Sequence, residues 1–80
     1  MAKYDVCVFC DHCNDSHPTG INISLSDGPA KKESIGSLYA GKELPIKVSR
    51  FNHDYFQCAK TNMKFVQKDN NKIFLIPIGL

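Results

Sequence analysis

No apolar run in this chain approaches the roughly 20 residues needed to cross a bilayer as a helix. The longest, Ile73–Ile78, is short and contains a proline. The start lacks the basic stretch followed by an apolar one that marks a signal peptide, so a cytoplasmic protein without membrane association is expected. Low-complexity segments are absent as well, and 42% hydrophobic against 22% charged residues points to a folded chain rather than a disordered one. No Ser/His/Asp set, nucleotide-binding loop or carboxylate pair stands at a recognisable spacing, and an enzyme is not expected. Dense basic charge is missing too. Residues 1–30 carry one Lys against four Asp, and residues 31–80 carry nine Lys and Arg against four acidic residues. The later part suits an acidic partner, yet it is sparser in charge than a dedicated nucleic-acid binder.

Eighty residues suffice for one domain, 1–80, but lie near the limit at which an apolar core alone stabilises a fold, and chains of this size often recruit a metal, a disulfide or a partner. Four cysteines are present. In a reducing compartment they are better metal ligands or free thiols than disulfides. Their spacing favours ligands. Cys10-Asp-His-Cys13-Asn14 has the form of a knuckle, a tight turn that aims two thiolates at one point, with Asn able to take the left-handed residue that closes it. Cys58-Ala-Lys-Thr61-Asn62 repeats the frame with Thr61 where a second Cys would stand. His17, four residues after Cys13, supplies the missing ligand, so Cys10, Cys13, His17 and Cys58 form a Cys3His set suited to one closed, tetrahedral Zn2+ site. Thr61 keeps a hydroxyl that can hydrogen-bond a coordinated sulfur.

Along the chain, Lys3–Phe9 alternates Tyr4, Val6 and Val8 with Asp5, Cys7 and Phe9 and reads as a strand. Pro18-Thr19-Gly20 reads as a turn, and Ile21–Leu25 as a second, half-buried strand that pairs with the first as a hairpin. Ser34 can cap a short helix carrying Ile35, Leu38 and Tyr39, although Gly36 weakens that pattern. Pro45–Phe51 places Ile46 and Val48 on one side and Lys47 and Ser49 on the other, which favours a strand over a helical turn started by Pro45. Tyr55–Gln57 leads into the second knuckle, Met63–Gln67 leaves it, and Asp69–Lys72 turns the chain into Ile73–Ile78, these last segments pairing antiparallel. Pro77 belongs at an edge or a strand end. The expected fold is mostly β, a small α+β ribbon with two knuckles and one short helix between them.

A rival for the metal is an iron–sulfur cluster, because Cys7, Cys10, Cys13 and His17-Pro18 follow a ferredoxin-like run and Cys58 could complete it. Against it, Cys7 lies inside a strand-like stretch, and the Cys58–Asn62 frame is left without a role. Cys7 therefore reads as a packed residue, His12 as solvent-facing and His53 as a surface or half-buried side chain. At its knuckles the chain resembles zinc-ribbon proteins, in particular small bacterial ribbons that pair a Cys-x-x-Thr half with a Cys-x-x-Cys half followed by His. Here the Cys-x-x-Cys half comes first. The resemblance implies a Cys3His zinc site and an antiparallel β fold, with no single activity attached. A protein-interaction or adaptor role is the first expectation. A nucleic-acid-binding ribbon, using Lys60, Lys64, Lys68 and Arg50, is the alternative, and iron–sulfur electron transfer a lesser one.

Overall fold

The structure is a computed structural model that describes residues 2–78. It is mostly β, with two antiparallel sheets and few helical turns. Strands β1 (Ala2–Cys10), β2 (Asp15–Leu25), β3 (Glu33–Ser34) and β6 (Ile73–Ile78) form one sheet in the order β2-β1-β6-β3. Strands β4 (Tyr55–Gln57) and β5 (Lys64–Val66) form the other. The alternation of β1 takes effect as expected: Tyr4, Val6, Val8 and Cys10 are buried, and the residues between them face the other way.

The β1–β2 hairpin is present, but β2 reaches back to Asp15, past the turn expected at Pro18–Gly20. Those residues form a bulge. The register runs Asp5↔Asn22 and then Cys7↔Pro18, leaving Thr19, Gly20 and Ile21 opposite Val6. Gly20 takes φ +76, which L side chains rarely adopt. The Thr19 hydroxyl donates to the Val6 carbonyl at 2.7 Å and accepts from the Ile21 N–H, replacing ladder bonds lost at the bulge. Pro18 is tolerated because β2 is an edge strand. The bulge shifts the pairing by an even number of residues, so His17 stays on the core-facing side of β2, opposite Val8.

Ser34 caps α1 (Ile35–Leu38), its hydroxyl accepting from the Ser37 N–H at 3.1 Å. Gly36 is explained by contact: a Cβ there would collide with Asn71, in a 3₁₀ turn at Asn70–Lys72. The strand expected over Pro45–Phe51 is instead α2 (Ile46–Ser49) followed by a 3₁₀ turn at Arg50–Asn52. Val48 and Phe51, three residues apart, are both fully buried, whereas Ile46 is 88% exposed, so the buried face has helical and not strand spacing. Two short helices thus lie between the knuckles rather than one.

A second correction concerns pairing. β5 pairs with β4, while β6 inserts between β1 and β3 and not beside β5. Burial decides this: Ile73 and Leu75 are fully buried and belong to the core of the larger sheet with Val6, Val8 and Ile35. Pro77 sits near the end of β6, beyond the reach of β3, which pairs only with Phe74 and Leu75.

Candidate metal centre

The first knuckle is the tip of the β1–β2 hairpin. Cys10 ends β1, Asn14 closes the turn at φ 54, and β2 resumes at Asp15. The second is the tip of the β4–β5 hairpin. The backbone carbonyl of Cys58 accepts from the Asn62 N–H and its N–H donates to the Met63 carbonyl, both at 2.9 Å, and Asn62 repeats the left-handed closure at φ 57. Each tip is thus a Cys with a left-handed Asn four residues on. Asn suits this position because its short polar side chain lowers the penalty other L-residues pay there.

The two tips meet. Among the described residues, the ligand atoms of Cys10, Cys13, His17 and Cys58 all lie within 4.8 Å of one another. Cys13 Sγ is 3.3 Å from Cys58 Sγ, and His17 Nε2 is 3.9 Å from the same sulfur. A tetrahedral site with metal–sulfur bonds of about 2.3 Å has ligand–ligand edges of about 3.8 Å, so the donors need only small adjustments to close on one ion. Cys10 and Cys58 are buried, and Cys13 and His17 are half-buried. The four can therefore hold a metal ion with a complete protein coordination shell.

The sulfurs are already differentiated. A hydrogen bond from the Thr61 side chain, joined by its backbone N–H and by Cys13, holds the Cys58 thiol down to about 5. Its neighbour moves the other way, the hydrogen bond to Cys58 and burial pushing Cys13 up to about 11. The two sulfurs share the 3.3 Å contact, in which either can be the donor. The Thr61 hydroxyl also accepts from the Met63 N–H at 3.4 Å, within the knuckle turn.

Two braces of the first knuckle escaped the sequence. Buried Gln67 donates to the Phe9 carbonyl at 3.0 Å and to the Asp11 carboxylate at 3.4 Å, and its own oxygen accepts from the Asp69 N–H. Lys72 meets Asp11 at 2.7 Å, which lowers the carboxyl and raises the amine. Beneath the second knuckle, the rings of Phe56 and Phe65 pack at 6.1 Å.

Other candidates lie elsewhere. Cys7 is half-buried on the opposite face of β1 and outside the cluster, its thiol pushed up chiefly by burial. His12 and His53 are exposed. Lys60, Lys64, Lys68 and Arg50 are all exposed, but Arg50 is engaged by Asp54 at 3.3 Å. Lys64 borders two grooves beside the second knuckle, one of about 440 Å³ that includes Tyr55 and one of about 220 Å³ that includes Met63. Within the described residues, no helix is long and apolar enough to cross a membrane. Comparison with protein-family models, curated proteins and solved structures gave no match.

Proposed function

We propose that the protein is a small structural-zinc protein of zinc-ribbon type, in which one Zn2+ per chain ties the two hairpin tips together, and that the folded chain acts in the cytoplasm as a protein-interaction module. The observation that carries this reading is the convergence of three thiols and an imidazole from two separate sheets. Thiolate and imidazole donors in a four-coordinate arrangement suit zinc. A cluster using Cys7 would need a residue that β1 turns away from the other donors.

Four protein ligands leave no open position for water or substrate, which favours a binding role over catalysis. Docking is supported by large apolar side chains left in solvent: Tyr55 and Met63 flank the second knuckle, and Ile46 protrudes from α2. Nucleic-acid binding at Lys60, Lys64 and Lys68 is the second reading, favoured by the exposure of all three and by the place of Lys60 in the knuckle turn. Lys60→Ala would then weaken single-strand binding without changing the metal content.

Metal analysis tests the central claim. A colourless protein with about one zinc per chain is expected, with zinc kept by Cys7→Ser and lost from Cys58→Ser. Brown protein containing iron and sulfide, or equal loss of metal from both variants, would overturn the ligand set.

A further inference from the structure

Among the described residues, the four-stranded sheet has a second face whose outward residues are left outside the core cluster. While Val6, Val8, Ile73 and Leu75 enter the core, Cys7, Phe9, Phe74 and Ile76 point the other way and stay half-buried outside it. Phe9 and Phe74 lie on β1 and β6, the two central strands. Cys7 pairs directly with Phe74, which makes Phe9 and Phe74 diagonal neighbours about 7–8 Å apart. Each ring has an ammonium over it: Lys72 Nζ is 5.3 Å from the Phe9 centroid, and Lys32 Nζ is 5.0 Å from that of Phe74.

Aromatic rings on the central strands of an open antiparallel sheet, with cations beside them, are the elements from which single-strand stacking platforms are built. We propose that this face binds single-stranded nucleic acid, successive bases stacking on Phe9 and Phe74 while Lys32 turns from its ring to a phosphate. A base displaces each ammonium because stacking on an aromatic ring is stronger than an exposed cation–π contact. Asp11 holds Lys72 beside Phe9, so that Lys72 offsets the carboxylate at this end of the face and is not counted as a phosphate contact. Asp5 shares the sheet face opposite Ile76, so the bound strand runs over the Cys7 to Phe9 end, away from that carboxylate. An acidic peptide would satisfy the lysines but leave the ring faces unused, which is why a nucleic acid fits better. The surface is separate from Lys60, Lys64 and Lys68, and the inference goes beyond both readings above.

Fluorescence anisotropy of labelled oligouridylate with the zinc-loaded full chain tests it. Binding in the micromolar range at low salt is expected. Phe9→Leu and Phe74→Leu should each weaken it by about 5- to 150-fold, with Phe9→Tyr and Phe74→Tyr retaining it. Lys32→Ala should flatten the log-log salt dependence by about 0.7. Zinc content and amide dispersion, measured on every variant, separate loss of the surface from loss of the fold. Three results would overturn the proposal: no binding by the folded, zinc-loaded protein, wild-type binding by both Leu variants, or loss in Lys60→Ala with none in Phe9→Leu. Tighter binding of a polyglutamate peptide than of the oligonucleotide would also overturn it, in favour of an acidic protein partner.

Discussion

The asymmetry between Cys58 and Cys13 gives one residue, Thr61, a measurable task. Its hydroxyl is the foremost cause of the lowered Cys58 value, so Thr61→Val should return that thiol toward its ordinary range near 9. Outer hydrogen bonds of this kind change metal affinity by about 10- to 100-fold, and a loss of that size is expected in competition with a chromophoric chelator. Acid sensitivity follows with a definite sign. Metal leaves as protons take the ligands, and a thiol held down to about 5 resists protonation until the pH falls to that region. Protons therefore begin to compete for Cys58 only as the pH falls into that region, and Thr61→Val should release metal at a higher pH than the wild type. The donor cluster was legible in the sequence because a knuckle is a local object: Cys10, Cys13 and His17 lie within one turn and its exit, and Cys58 repeats the frame. Gln67 was not legible. Set between Val66 and Lys68-Asp69 it looks like part of a solvated turn, and only the tertiary approach of Phe9 and Asp11 gives it buried partners.

At the scale of elements, the strands with a clean alternation and the Ser34 cap could be read directly, since both depend on residues adjacent in sequence. The Pro18–Gly20 turn misled because a glycine at positive φ serves a reversal and a bulge equally well, and only the pairing partner distinguishes them. No atom lies within 4 Å of a Cβ built on Gly20, so Gly20→Ala meets no clash and should cost only the backbone penalty of about 1–2 kcal/mol. A lower urea midpoint with an unchanged slope would report it, and Gly20→Asn should lose less. Over Pro45–Phe51 the alternation of Ile46 and Val48 was too short to exclude a helix, and the deciding residue, Phe51, lies a turn further on. Phe51→Ala should destabilise by about 3–5 kcal/mol, while Ile46→Ser should stay within about 0.5 kcal/mol, a contrast that a strand with Ile46 on its buried side would not produce. The place of β6 was beyond sequence reasoning because its partners, β1 and β3, lie far away along the chain.

For the molecule as a whole, the two sheets share no ladder among the described residues, and the donor cluster joins them together with Phe56 and Phe65, which reach the common core. Structural zinc contributes apparent binding free energies of about 10–16 kcal/mol in finger peptides, comparable to or above the typical domain stability of about 5–15 kcal/mol. A strong chelator should therefore unfold the chain, seen as collapse of amide dispersion in NMR spectra. Persistence of a dispersed spectrum after verified metal removal would count against a structural ion. Three of the four donors belong to the β1–β2 hairpin, and Cys58 is the single donor of the β4–β5 hairpin. With the proposed ion bound, that division would set the kinetics of metal exchange. Rupture of one metal–sulfur bond, with lifting of one short hairpin, opens the ion to a competitor while the larger sheet is still intact. At high chelator concentration the release rate should level off at the opening rate of β4–β5, and the amides of that hairpin should exchange with solvent ahead of those in β1 and β6.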